Sequence, residues 1–138
     1  MPAKVLELPL TLTPAQEAID ACTARFKAVE AGRRFGKTEY GLFASCKAAA
    51  APDTDNWYIA PTYGQAKEIA WRRLLQILPP SIIKKKHETS LTATLVNRSN
   101  ISLKGSDNPD TLRGRKLWSV TVEEASYHRE YIWSDIIR

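Results

Sequence analysis

The sequence predicts an α/β fold with a parallel sheet, flanking helices and an inserted β-hairpin. Residues 31–38 fit the pattern of a phosphate-binding loop, and they stand between a short apolar stretch and a run of good helix formers. Two further apolar runs, residues 57–60 and 118–122, resemble buried strands and have a helical pattern between them. Because strands that alternate with helices usually pair in parallel, these observations together predict an α/β sheet.

The phosphate-binding loop is the most informative motif in the chain. It has the form Ala/Gly-x-x-x-x-Gly-Lys-Ser/Thr, with alanine in place of the usual first glycine. Backbone N–H groups of such a loop surround phosphate oxygens, and the helix that follows directs its N-terminus at the anion. Lys37 can reach the β- and γ-phosphates, and the Thr38 hydroxyl can hold Mg²⁺; the alternative is a surface turn that happens to contain Gly-Lys-Thr. The predicted nucleotide-binding residues of the loop are Ala31, Gly32, Arg33, Arg34, Phe35, Gly36, Lys37 and Thr38.

A helix is predicted before the loop. Thr13 can cap it, Pro14 suits its first position, and Gln16 completes a capping box. Apolar residues on one helical face, including Cys22, extend the helix. It must end near residue 25 so that residues 26–30 can form the strand that leads into the loop.

A second capping box at residues 62–65 predicts another helix after the strand at residues 57–60. Two prolines end this helix, and its predicted inward-facing residues are Ala66, Ile69, Ala70 and Ile77. The three lysines at residues 84–86 are predicted to lie in a solvated basic loop, with a contact to a nucleic-acid phosphate backbone as the less favoured alternative.

The remainder of the chain supplies a hairpin and a pair of acids. Residues 91–96 and 101–104 alternate in polarity on either side of a turn-forming segment, which predicts a β-hairpin. Glu123 and Glu124 follow the strand at residues 118–122, and a last helix begins near residue 126. Since ligands of parallel sheets bind beyond the carboxyl ends of the strands, the phosphate loop and the two acids are predicted to face one site.

The two acids are expected partners of a phosphate loop. We assign Glu123 to the Mg²⁺ shell and Glu124 to the base that polarises the attacking water. Guanidinium groups stabilise the charge that spreads over the γ-phosphate during phosphoryl transfer. Arg33 can supply such a group in cis, whereas Arg113 lies just before the acidic strand and can serve a neighbouring subunit. Pairing of the arginines with local acids is the alternative.

Composition narrows the class of protein. The 138 residues allow one domain, and 43% hydrophobic with 25% charged residues is an ordinary globular balance. A formal net charge of +5 is compatible with a nucleic-acid partner. No apolar run approaches the roughly 20 residues that a membrane span needs.

Cys22 and Cys46 lack metal-ligand spacing, so we expect two buried thiols in a reducing cytoplasm. The four tryptophans are predicted to pack in the core.

Four stretches in the expected order resemble the N-terminal ATPase region of the large subunit of phage terminases, the motors that package DNA. These stretches are residues 31–38, 58–67, 104–115 and 120–125, and the third is the most specific because general ATPases lack it. The resemblance implies an additional-strand P-loop NTPase fold that uses ATP and Mg²⁺. It also implies a homo-oligomeric ring that moves double-stranded DNA, a terminase small subunit and a portal protein of the procapsid as partners, and a location in the host cell cytoplasm.

The resemblance also implies roles for individual residues. Arg33 matches the loop arginine of the family, Glu124 the catalytic glutamate, and Arg113 lies where an arginine finger would act on the next subunit. Gln16 lies where the family can contact adenine, although its capping role explains it equally well. Glu123 stands where an aspartate is usual. The family continues beyond the equivalent of Arg138, so we expect residues 1–138 to be the N-terminal portion of the ATPase domain, incomplete at its C-terminus and without the nuclease domain.

Two other functions stay open from the sequence. One is a non-catalytic remnant that at most binds nucleotide. The other is a helicase-like P-loop ATPase, which would share the phosphate loop and the acidic pair but not the loop around residues 107–115. ATP turnover would distinguish the motor from the non-catalytic remnant. Unwinding of a short DNA duplex would instead indicate the helicase-like ATPase.

Overall fold

The computed structural model describes residues 12–23, 27, 36–105 and 117–123, and its centre is a five-stranded sheet. The strands are β1 Asp55–Ala60, β2 Ile83–His87, β3 Thr92–Leu95, β4 Asn100–Gly105 and β5 Ser119–Val122. Their order across the sheet is β2-β3-β4-β1-β5. β1 pairs in parallel with both β4 and β5, whereas β2, β3 and β4 pair antiparallel. The predicted α/β architecture with a parallel centre and a hairpin is therefore confirmed.

Helices precede and follow β1 along the chain. They are α1 Pro14–Ala21, α2 Lys37–Ala48, α3 Tyr63–Gln65, a π-helical segment Ala66–Trp71, α4 Arg72–Ile77 and a 3₁₀ turn Pro80–Ile82. Within the described ranges, no helix offers an apolar stretch long enough to cross a bilayer. α2 packs on β1 and β5, and the π-helical segment packs on β4.

β1 is buried on both faces, as its apolar sequence predicts. Tyr58 and Ala60 join the large core that contains α2 and the segment from Ala66 to Ile77. Trp57 and Ile59 point to the opposite face of the sheet, where they pack with residues beside and on β5. The strand that carries the parallel pairing is therefore fixed from above and below.

The predicted hairpin is formed by β3 and β4. Its turn holds Arg98 at a positive φ of 69°, and the Leu95 N–H donates to the Ser99 carbonyl at 2.8 Å. The prediction of a loop at residues 84–86 was wrong, because the three lysines belong to β2, the edge strand that pairs with β3. Only Ile83 of this strand packs against the core, and the lysine side chains are exposed, which suits an edge strand.

The helix after β1 differs from prediction at one position. Ala66, Ala70 and Ile77 are buried as expected, but Ile69 is 60% exposed. The reason is the π-helical segment, whose wider turn shifts the phase of the inward face and places Trp71 and Leu74 in the core.

Three expectations for individual residues also need correction. α1 ends at Ala21 and not near residue 25, because the backbone of Cys22 is extended. As a result Cys22 is exposed, whereas Cys46 is buried as predicted. Trp57 and Trp71 lie in the core, but Trp118 precedes β5, at one end of the described strand order, and is 64% exposed. The predicted strand at residues 26–30, the last helix from residue 126 and Trp133 lie outside the described residues, apart from Lys27.

Candidate functional site

The carboxyl ends of β1 and β5 lie side by side and meet the start of α2. The parallel ladder runs to Ile59 and Val122, and the Glu123 N–H then donates to the Ile59 carbonyl at 2.9 Å. This backbone bond fixes the first residue after β5 against β1. Since α2 packs on the same two strands, the residues at its N-terminus come close to Glu123.

The N-terminus of α2 has the features of an anion site. Gly36 occupies the N-cap position with a φ of 84°, a left-handed conformation that glycine adopts without steric cost. Because glycine has no side chain to cap the first turn, the N–H groups there are available to an anion. Lys37 is the first helical residue and adds a positive charge beside them.

Glu123 receives a hydrogen bond on each of its carboxylate oxygens. The Thr38 hydroxyl donates to Oε1 at 2.9 Å, and the Tyr58 hydroxyl donates to Oε2 at 2.9 Å. These contacts join α2, β1 and the first residue after β5. The sequence prediction that the phosphate loop and Glu123 face one site agrees with this contact between Thr38 and Glu123.

Gln16 links α1 to the same place. Its Oε1 accepts from the Thr13 N–H at 2.9 Å, its backbone N–H donates to the Thr13 hydroxyl at 3.2 Å, and its Nε2 donates to the Gly36 carbonyl at 3.0 Å. Gln16 is only 4% exposed although it is polar. The predicted capping box is thus present, and the same side chain also bonds to Gly36, the N-cap of α2.

A second contact holds α1 beside α2. Lys47 Nζ lies 2.8 Å from Asp20 Oδ2. Burial raises the pKa of Tyr40 on α2, and the nearby Asp20 carboxylate raises it further because a second negative charge is unfavourable there. α1 therefore lies along α2, with Gln16 bonded to the N-cap Gly36 and Asp20 paired with Lys47 in the last turn.

The remaining predicted site residues lie outside the described residues. These are Ala31, Gly32, Arg33, Arg34 and Phe35 of the loop, the arginine Arg113 and the acid Glu124. Their assigned roles stay predictions. Gly36, Lys37, Thr38, Gln16 and Glu123 are the predicted residues that the structure places around one strand end.

Tyr58 was missed by the sequence reasoning as a site residue. The sequence predicts Tyr58 only as part of a buried strand, and the residue is indeed 1% exposed. Its hydroxyl reaches Glu123 because Tyr58 and Thr121 are paired across the parallel ladder and Glu123 follows on the same face. A tyrosine within the apolar run at residues 57–60 is the available signal, because a buried phenol needs a hydrogen-bond partner.

Comparison with known proteins identifies the relatives of this chain. Residues 29–134 match the family described as terminase large subunit, T4likevirus-type, N-terminal. The terminase large subunits of Thermus virus P23-45 and Thermus phage G20c are each 30% identical over 142 aligned positions, which cover 88% of this chain and 29% of the relative. The chain therefore spans less than a third of the length of these curated relatives.

Solved structures agree with this match. The large terminase ATPase domain of Thermus phage P74-26 superposes with a TM-score of 0.80 at 28% identity, over 92% of this chain and 59% of that domain. A mutant form of the same domain superposes with a TM-score of 0.79 at 27% identity. The predicted P-loop-type fold of a terminase ATPase domain is confirmed by this likeness. From its sequence match and its fold, the chain belongs to the terminase large-subunit family and corresponds to the N-terminal part of that subunit.

Proposed function

We propose that this chain binds ATP with Mg²⁺ and forms the nucleotide-binding part of a motor that moves double-stranded DNA into a phage procapsid. The observation that supports this most is the hydrogen bond between Thr38 and Glu123, which are 85 residues apart in sequence. In phosphate-loop ATPases, a loop hydroxyl and an acid at a strand end are the two protein groups that hold the metal. The proposal is also supported by family membership and by the ATPase domain named for the solved relative.

The residues present fit Mg²⁺. This ion prefers oxygen ligands and is usually held by one or two protein groups, with waters and substrate phosphates completing its shell. Thr38 and Glu123 supply such oxygens within 2.9 Å of each other. Across residues 12–23, 36–105 and 117–123 there is no group of three or more His, Cys, Asp or Glu that would form an all-protein cage. A nucleotide-dependent magnesium site is consistent with both facts.

The hydroxyl of Thr38 can serve the metal without losing its contact to Glu123. Its proton points to the carboxylate, while its oxygen keeps lone pairs for a cation. Bound Mg²⁺ would neutralise charge on the β- and γ-phosphates. Lys37 would contact the same phosphates, and the free N–H groups of the first turn of α2 would bind their oxygens.

The other roles in this proposal belong to residues outside the described ranges, together with Gln16. Glu124 is the proposed base that orients and deprotonates the attacking water, and Arg33 would stabilise charge on the γ-phosphate in cis. Arg113 would do so for the next subunit of a ring. Gln16 is proposed to contact adenine in addition to its capping bonds, since an amide oxygen and nitrogen can each make two hydrogen bonds.

The partners proposed are those of a packaging motor. They are double-stranded DNA, a terminase small subunit, the portal protein of the procapsid and further copies of the large subunit in a ring, all in the host cell cytoplasm. What supports them is family membership.

Thermal unfolding with and without Mg-ATP tests the proposal. A ligand that binds only the folded state stabilises it by about 2.7 kcal/mol at 100 times its Kd, and for a chain of this size that raises the Tm by several degrees. We expect this upward shift in the parent and its loss in Lys37→Ala. Lys67→Ala is the matched control, because Lys67 is exposed on the π-helical segment and should keep the shift. If the Tm of the parent is the same with and without Mg-ATP, the result contradicts the proposal.

Turnover is the second part of the test. Steady-state ATP hydrolysis by the parent that disappears in Glu124→Gln, with the thermal shift retained, supports a catalytic role for the chain. Nucleotide binding with no turnover in the parent would instead favour the non-catalytic alternative.

A further inference from the structure

We infer that Tyr58 is a positioning residue that fixes the Glu123 carboxylate in the geometry needed for metal binding; this rests on the proposed function. Tyr58 does not belong to the phosphate loop or to the acidic pair. Its hydroxyl donates to Glu123 Oε2 at 2.9 Å.

The carboxylate is held from two directions. Thr38 binds Oε1 from the helix side, and Tyr58 binds Oε2 from the strand side. The Glu123 N–H is bonded to the Ile59 carbonyl at 2.9 Å, so the backbone of this residue is fixed as well. With its backbone and both oxygens held, the carboxylate is already oriented before a cation arrives. Groups that orient a metal ligand in this way commonly strengthen metal binding.

Tyr58 itself has little freedom to move. It is 1% exposed and belongs to the large core. Its ring lies against α2 at Gly41, where a Cβ atom would come within 2.9 Å of Tyr58 Cε2. A hydroxyl on a ring packed this closely stays where β1 and α2 place it, and it can therefore define the position of its partner.

The length of Glu123 matches this arrangement. Tyr58 is paired with Thr121, and Glu123 lies two residues further along the same face of the sheet. An aspartate at this position would withdraw the carboxylate by one C–C bond, about 1.5 Å. The present 2.9 Å contact would then lengthen beyond hydrogen-bonding distance. The glutamate found here and the tyrosine on the neighbouring strand thus form a matched pair.

Metal affinity of the full chain tests the inference directly. Mn²⁺ replaces Mg²⁺ as an electron paramagnetic resonance probe, and a non-hydrolysable ATP analogue supplies the phosphates. We expect Tyr58→Phe to weaken Mn²⁺ binding about tenfold, as loss of a group that orients a metal ligand does. Binding of the analogue in the presence of a chelator should be unchanged, since the hydroxyl that the variant removes bonds to the carboxylate that the metal would need.

Tyr63→Phe is the matched control. The Tyr63 hydroxyl also donates a hydrogen bond, but to the Thr89 carbonyl at 2.6 Å, and the side chain is exposed. This variant should bind Mn²⁺ as the parent does. A merely structural role of Tyr58 would lower the Tm and the metal-free affinity for the analogue together, whereas a positioning role lowers Mn²⁺ affinity alone.

Glu123→Asp tests the hydrogen bond between Tyr58 and Glu123 by changing the acceptor in place of the donor. We expect an approximately tenfold loss of Mn²⁺ affinity, and no further loss when Tyr58→Phe is added, because the contact is already broken. If Tyr58→Phe does not fold, Glu123→Asp alone decides, and an unchanged Mn²⁺ affinity overturns the inference.

The failures are distinguishable. If Glu123→Gln weakens Mn²⁺ binding and Tyr58→Phe does not, the inference is overturned and the proposed function stands. If the parent binds no Mn²⁺ with the analogue, both are overturned.

Discussion

At Gly41, α2 lies close against Tyr58 and Thr121 of the sheet, and replacement of this glycine by alanine tests how tightly helix and sheet pack. A Cβ atom there would lie 2.9 Å from Tyr58 Cε2 and 3.1 Å from Thr121 Cγ2. Overpacking of this kind costs about 1–3 kcal/mol. Alanine also favours the helical state over glycine by about 1 kcal/mol, which offsets part of that cost. We therefore expect Gly41→Ala to lower the free energy of unfolding by about 1 kcal/mol.

Gly64→Ala is the matched control for this substitution. Gly64 also lies in a helix, but the nearest atom to an added Cβ is Thr62 Oγ1 at 3.9 Å, an ordinary contact. Without overlap, only the helix preference remains, so this variant should gain up to about 1 kcal/mol. Urea unfolding of the two variants and the parent measures the difference directly. If Gly41→Ala is stabilised as much as Gly64→Ala, the contact between α2 and Tyr58 is not as close as described.

Three further predictions concern buried, charged and thiol groups. Leu74→Ala should lower the free energy of unfolding by about 2–5 kcal/mol in urea, because Leu74 is fully buried, and a loss below 1 kcal/mol would contradict the core assignment. The hydrogen bond from Arg98 holds the pKa of Asp53 in the folded protein below its ordinary value. The ionised Asp53 therefore stabilises the fold above the pKa that this residue has in the unfolded chain, and the stabilisation is lost as the pH falls through its pKa in the folded protein. The Tm of Asp53→Asn should accordingly be lower than that of the parent at neutral pH and the same as that of the parent in strong acid. A difference in Tm that stays constant at all pH values would refute this link between ionisation and stability. Burial raises the pKa of Cys46 to about 12, so a thiol reagent at mildly alkaline pH should modify Cys22 alone in the folded protein and both cysteines in denaturant. Rapid reaction of Cys46 in the folded protein would show that the interior opens readily.

The parallel centre of the sheet was predictable because its strands carry their own signal. Residues 57–60 are apolar without alternation, as expected of a strand buried on both faces, and β1 forms there. The edge strand β2 has no such signal. Its lysines face solvent, and it is a strand because Ile83 packs on the core and the neighbouring β3 offers a free edge. The conformation of β2 depends on its pairing with β3, and a single sequence does not show that pairing.

The candidate site was predictable in its parts and not in its contacts. The phosphate loop pattern and the acid after β5 gave Thr38 and Glu123 separately. Strand register brought Tyr58 to Glu123, and an interhelical contact brought Gln16 to Gly36. Both contacts depend on backbone positions that only the assembled fold specifies. The exposure of Ile69 has a similar origin, since the one-residue shift of a π-helical turn leaves no mark in the hydrophobic pattern.

The strand order has a consequence for how this protein is made. β1 leaves the ribosome before β4 and β5, yet these two later strands are its only neighbours in the described sheet. Until they arrive, the most apolar strand has both edges unpaired, and such non-local pairing makes folding slow and exposes the nascent chain to aggregation. Glu123 is placed only by the last of these events, the docking of β5 beside β1. If the chain binds Mg-ATP as proposed, the metal-dependent part of that binding would appear only after β5 has docked beside β1.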